Sequence, residues 1–90
     1  MKIEFDTRKA ASNLRKHGIS FDEAATCLLD PLALSHEDVE DVDAKGEGRW
    51  VLLGMSHEAR LLVVVYTLRG ESIRLISARK PTAKEVSCYA

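Results

Sequence analysis

The chain has 90 residues, 46% of them apolar, which is enough for one domain with its own core and argues against disorder. A net charge of −1 conceals an uneven distribution: residues 37–47 hold six acids and one base, −5 in all, which leaves +4 for the rest of the chain. No apolar run approaches the roughly 18 residues of a membrane span and no signal peptide is recognisable, so a cytoplasmic protein with reduced thiols is expected.

Residues 2–5 alternate polar and apolar and predict a short first strand. Asp6 is a suitable N-cap for a helix over residues 7–17, with Ala10, Leu14 and His17 sharing one face and Arg8, Lys9, Arg15 and Lys16 mostly outside it. Gly18 can end that helix in a left-handed conformation. Ser20-Phe21-Asp22-Glu23 then reads as a capping box, opening a second helix that buries Phe21, Ala24, Ala25 and Leu28 and stops at Asp30-Pro31. Residues 32–34 suit a short extended segment, and the acidic stretch after them, polar and without period, predicts a loop.

Residues 49–56 predict a strand, and residues 57–59 the turn that follows it. Residues 61–68 form an unbroken apolar run rich in β-branched side chains, the pattern of a central strand covered on both faces. Arg69-Gly70-Glu71 supplies a turn. Residues 72–78 return as the second strand of a hairpin, with Ile73 and Leu75 on one face and Arg74 and Ile76 on the other. After Pro81, Thr82 and Glu85 frame another capping box and a short C-terminal helix. The order β-α-α-β-β-β-α is that of a single α+β domain over residues 1–90, an antiparallel sheet packed against a helical hairpin. The hairpin can cover one sheet face and the C-terminal helix only part of the other, so apolar surface beside basic residues is expected there, open to a protein partner.

Neither a glycine-rich phosphate loop, nor zinc-ligand spacing, nor a Gly-x-Ser-x-Gly elbow is present, and no cofactor or metal is expected. Cys27 and Cys88 stand far apart, and His36 beside Glu37 and Asp38 reads as part of a solvated acidic stretch. His17 has two readings, a helix C-terminal charge or a proton shuttle beside Lys16. Arg74, between Ile73 and Leu75, needs either a carboxylate or an anionic ligand. With Arg79 and Arg49 it could form a phosphate-binding cluster, or the arginines could pair with Glu23 and Glu85. Trp50 and Tyr66 offer stacking surfaces or core, with core favoured for Trp50. The Tyr89 hydroxyl could reach a ligand or face water.

Phe5-Asp6, Lys9-Ala10, Asn13, the run Lys16-His17-Gly18-Ile19-Ser20-Phe21 and Glu23-Ala24-Ala25 resemble the opening of the BrnT toxin family. Asp30-Pro31-Leu32, Arg49-Trp50, Leu53-Gly54, residues 61–67, Ile73-Arg74 and Ile76-Ser77-Ala78-Arg79 match the rest of its pattern. The resemblance implies a RelE-like fold and a type II toxin, a ribonuclease that inhibits translation. It also implies a BrnA-type antitoxin with a ribbon-helix-helix domain. The two would form a hetero-oligomer that represses its own operon, touching operator DNA only through the antitoxin, with no membrane involved. Lys16, His17, Arg49, Arg74 and Arg79 fall on recurring polar positions of the family, and Glu23 and Glu85 on recurring acids.

Cleavage of RNA without a metal requires a base for the 2′-hydroxyl, cations on the phosphorane and an acid for the leaving 5′-oxygen. Arg74 and Arg79 are the expected cations, and His17 the proton-transfer group supported by Lys16. Arg49 and Tyr89 are expected to bind substrate. The competing expectation is a non-catalytic RNA- or protein-binding module of the same fold, or a relative that keeps only the antitoxin-binding surface. An antitoxin lying over Arg74 and Arg79 on the sheet face would inhibit by occlusion.

Overall fold

The computed structural model describes residues 2–42 and 48–89. Strand β1 (Lys2–Glu4) ends at Asp6, whose carboxylate accepts the Arg8 N–H at 2.7 Å and so caps helix α1 (Thr7–His17). Gly18 closes that helix at φ 69°, its N–H donating to the Leu14 carbonyl at 2.9 Å. Ser20 then caps helix α2 (Phe21–Thr26) by accepting the Glu23 N–H at 3.1 Å. The expected reciprocal bond of a capping box is missing, because the Glu23 carboxylate turns instead to Arg60 and Ser56. A single 3₁₀ turn (Cys27–Leu29) carries the chain to Asp30 and Pro31.

Four strands follow: β2 (Leu34–Val42), β3 (Gly48–Met55), β4 (Leu61–Arg69) and β5 (Ser72–Arg79). With β1 they make one sheet in the order β1-β5-β4-β3-β2, antiparallel throughout except for the parallel pair β1/β5. The α+β class and the central place of the apolar run agree with the sequence reading. The acidic stretch differs: its first part, through Val42, is an edge strand, and residues 43–47 lie outside the described residues. Leu34, His36 and Asp38 stand opposite Leu53, Val51 and Arg49, and pairing with β3 overrides the poor strand propensity of Glu and Asp. In the hairpin β4/β5, Arg69 pairs with Ser72, so the loop is Gly70-Glu71, with Gly70 at φ 56°.

The core lies on the face covered by α1, α2 and the 3₁₀ turn. There Ile19, Phe21, Ala24 and Cys27 meet Leu62, Val64 and Tyr66 of β4 and Ile73, Leu75 and Ala78 of β5. Phe5 adds an edge-to-face contact with Phe21 at a centroid distance of 5.4 Å. Each fully buried side chain of this size contributes roughly 1.5–3 kcal/mol relative to exposure. Gly54 lets the 3₁₀ turn lie directly on β3, since a Cβ there would sit 3.0 Å from the Cys27 carbonyl and 2.9 Å from a Leu52 methyl.

Two packing expectations are corrected. Leu14, placed in the α1 stripe by its spacing, is 51% exposed, and the buried member of that helix is Asn13. On the opposite sheet face the expected apolar surface is narrowed to a hollow beside helix α3 (Ala83–Cys88), walled by Leu34, Val51, Leu53 and Val63. Val63 and Leu53 are buried, α3 lies over their end of the sheet, and half-buried arginines occupy part of the rest. Leu29 and Leu32 are exposed where the chain enters β2, and the half-exposed Leu34 borders the hollow.

Candidate functional site

The geometry begins with an irregularity in β5. Val65 pairs with Ser77 and Tyr66 with Leu75, so Ile76 is an extra residue, a β-bulge. β1 covers the outer edge of β5 only as far as Arg74, and beyond it α1 runs alongside. Asn13 takes over the role of a neighbouring strand there. Its amide nitrogen donates to the Ala78 carbonyl at 2.9 Å and to the Ile19 carbonyl at 3.0 Å, and its oxygen accepts the Ala78 N–H at 3.1 Å. Three backbone groups that burial would leave unsatisfied are thereby paired.

This splint fixes α1 against the bulge and leaves a cleft of about 210 Å³ between them, lined by Lys9, Ser12, Lys16 and His17 of the helix and Ile76 and Ser77 of the strand. Lys9, Lys16 and His17 are exposed. The last turn of α1 holds Arg15, Lys16 and His17 and no acid, so positive side chains gather where the helix dipole is negative.

Ser77 also belongs to the open sheet face, where a polar row crosses all five strands at the next level. Glu4, Arg74, Thr67, Arg49 and Asp38 are successive cross-strand partners. Arg74 reaches Glu4 only at 3.8 Å. Asp6 is held below the ordinary carboxylate range mainly by the Arg8 N–H, with the Arg74 charge contributing. The Thr67 hydroxyl is buried in this row without a hydrogen-bond partner among the described residues.

Arg79 and Tyr89, also expected at the site, are engaged elsewhere. The Arg79 guanidinium donates two parallel bonds to Glu85, at 2.8 and 2.9 Å, and this pairing pulls the Glu85 carboxyl down to about 2. Glu85 also completes a full capping box with Thr82. The Tyr89 hydroxyl donates to Asp30, whose carboxylate accepts the Met55 N–H at 2.8 Å and the Leu32 N–H at 2.9 Å as well. These two anchors hold α3 over an apolar hollow of about 180 Å³ walled by Leu34, Val51, Leu53 and Val63. A third polar network centres on the buried Glu23: the half-exposed Arg60 donates to it through Nε at 2.9 Å and through a second nitrogen, and the Ser56 hydroxyl donates at 2.7 Å. The Arg60 bonds lower Glu23 to about 2. Of the two carboxylates expected to pair with strand arginines, Glu85 holds Arg79 and Glu23 holds Arg60.

The structure therefore brings Lys16 and His17 together in one cleft and sets Arg74 and Arg49 in one row on the adjoining face. Arg79 and Tyr89 lie apart, at the anchors of α3. The sequence reading did not single out Lys9 or Ser12 for the cleft, nor Asn13 for its splint. Their signal was the i, i+3, i+4, i+7 spacing of Lys9, Ser12, Asn13 and Lys16, a polar stripe beside the apolar one. Trp50 packs against the core and Tyr66 is buried within it.

A five-stranded, mostly antiparallel sheet backed by an αα-hairpin, with cations gathered along one edge, places the chain among the small α+β domains. Residues 5–85 match the model of the ribonuclease toxin BrnT of type II toxin-antitoxin systems. The chain belongs to the BrnT toxin family. Among solved structures it is similar to the Brucella abortus ribonuclease toxin BrnT, with 25% sequence identity and a TM-score of 0.67 over 91% of this chain and 97% of that one. A comparison with curated proteins found no match.

Proposed function

We propose that this ribonuclease toxin cleaves RNA by metal-independent transesterification in the cleft between α1 and the β5 bulge. The observation that carries this reading is the convergence of Lys9, Lys16 and His17 on one side of the cleft, with Arg74 on the adjoining face. A phosphate lying along the bulge meets cations from the helix and the sheet, and an imidazole stands beside it. His17 takes the 2′-hydroxyl proton, and the 2′-oxygen attacks the phosphorus. The bond to the 5′-oxygen breaks, leaving a 2′,3′-cyclic phosphate and, after protonation, a 5′-hydroxyl. Lys16 and Arg74 offset the charge of the phosphorane, with Lys9 guiding the backbone. Arg49 lies in the Arg74 row and binds the substrate further along the face. Arg79 and Tyr89 secure α3.

The family implies a protein antitoxin and an RNA substrate. In this reading the antitoxin is of the BrnA type, with a ribbon-helix-helix domain through which the pair represses its operon. The test is cleavage of a single defined RNA by the purified toxin with and without EDTA, with the product ends identified. Activity is expected to persist in EDTA and to leave 2′,3′-cyclic phosphate and 5′-hydroxyl ends. Products bearing 5′-phosphate, or activity restored only by Mg²⁺, would overturn the mechanism.

A further inference from the structure

Strand β2 is the edge opposite the cleft. Its inner side is paired with β3, and no strand lies on its outer side among the described residues. The stretch from Leu34 to Asp38 keeps regular register, and the side chains from Leu34 to Glu37 are exposed. Its outer backbone N–H and C=O groups form a template for another strand. Proteins usually blunt such an edge with Pro, a bulge or charged side chains; residues 34–38 hold no Pro and no bulge, and their charges are acids, which admit a basic partner. The leucines leading into it are Leu29 at 80% exposed, Leu32 at 56% and Leu34 at 46%, which leaves apolar surface at the start of the edge. Further along, the β2 sequence is acidic, with Glu37 exposed and Asp38 after it, and the strand holds no lysine or arginine.

The charge decides between occupants. A second copy paired edge to edge would set this run of acids against itself, and directly opposed like charges destabilise a strand pair. RNA phosphates would be repelled for the same reason. What fits is an extended protein segment whose apolar side chains reach the leucines and whose basic side chains lie along the acids.

We propose that β2 is the docking edge for the antitoxin, which adds a sixth strand through a segment of this kind. The inference rests on the family's protein antitoxin and not on the assignment of the cleft. Three strand spacings separate β2 from β5, roughly 14 Å at about 4.8 Å each, and an added strand lies one spacing further out. The added strand therefore anchors the antitoxin without itself filling the RNA cleft, and neutralisation requires a further part of the antitoxin.

The experiment compares amide hydrogen exchange of free toxin with that of the complex it forms with its cognate antitoxin. Strong slowing at residues 34–38 is expected in the complex. A paired measurement uses Glu37→Lys and the double variant Leu29→Asp/Leu32→Asp, exposed positions whose replacement should leave melting unchanged. Each should weaken antitoxin binding about tenfold or more, the first with reduced salt dependence, while cleavage by the free toxin stays at the wild-type level. Unchanged exchange at β2 in the complex, or wild-type affinity in both variants, would overturn the proposal. Slowing at β2 that grows with toxin concentration alone, or on adding RNA, would overturn it in favour of a second copy or of nucleic acid. If the cleft assignment is wrong, the cleavage assays fail and β2 protection by the antitoxin is untouched.

Discussion

Arg74 and Arg79 leave the two ends of β5 on the same sheet face, yet their electrostatic settings are opposite. Arg79 is closed: both of its terminal nitrogens are bound by Glu85, and the pair serves to pin α3. Arg74 is open: Glu4 stands at 3.8 Å, beyond hydrogen-bond length, and the residue lies on the sheet face that adjoins the cleft of Lys9, Lys16 and His17. A guanidinium already holding a carboxylate in two parallel bonds offers little to a phosphate, because it must first surrender bonds of equal quality. The lesson is that positive charge on a sheet is available for an anion only where no carboxylate has been placed within bidentate reach. Arg60 is a second closed case, its Nε and one terminal nitrogen bound to the buried Glu23.

The strongest way to break this contrast is by kinetics. Arg74→Ala and His17→Ala should each lower RNA cleavage by on the order of 10² or more, the scale for removing an oxyanion-type donor or a proton-transfer group. Both side chains lie outside the core, so melting should be preserved. Arg79→Ala should lose less than tenfold. Cleavage that falls equally in the Arg74 and Arg79 variants would erase the distinction between open and closed arginines.

The next effect is on stability and concerns Glu23. Its folded-state value of about 2 lies below the ordinary 4.5, because Arg60 and Ser56 hydrogen-bond the charged form. A depressed carboxylate contributes stability that is fully present above about pH 4.5 and fades as the pH falls toward 2. Glu23→Gln should cost about 2 kcal/mol at pH 7 and flatten the acid limb of the stability profile, measured by urea unfolding at pH 7 and pH 3. Catalysis per folded molecule should be unchanged. A variant with the same acid dependence as wild type would mean that Glu23 is not the group that couples folding to pH.

Much of the fold was legible because its signals are local. Asp6, Gly18 and Gly70 act where their chemistry placed them, and the unbroken apolar run is the central strand it resembled. The misses share another cause, long-range partnership. Residues 37–42 read as a loop because Glu and Asp disfavour strands, and only pairing with β3 makes them one. Asn13 looked like an ordinary polar residue on a helix until β5 presented a backbone edge for it to splint. The cleft was half legible. Lys16 and His17 were visible as neighbours and Lys9 lay on the same helix stripe, but the opposite wall, Ile76 and Ser77 at the bulge, depends on tertiary packing. Which arginine each glutamate takes depends on the same tertiary register: Glu85 meets Arg79 six positions away, and Glu23 meets Arg60 across the domain.

The smallest effect gives the sharpest test of the closed arginine. Arg79 and Glu85 are 39% and 31% exposed, so solvent screens their attraction and the pair contributes only about 0.5–1 kcal/mol. Glu85→Gln removes the charge but keeps an oxygen able to accept the Thr82 N–H, so the capping box survives and the ion pair alone is lost. Stability at pH 7 should drop by that small amount. The difference from wild type should vanish on acidification, since Glu85, lowered from 4.5 to about 2 by Arg79, contributes above about pH 4.5 and loses its contribution toward pH 2. Cleavage should change by less than about threefold, because an arginine that only pins α3 has nothing to add once released, and removing one oxyanion-type donor would cost far more. A several-fold gain in cleavage on Glu85→Gln, abolished by adding Arg79→Ala, would instead mean that Glu85 holds a working phosphate ligand in reserve. Arg79 would then belong with Arg74 at the site.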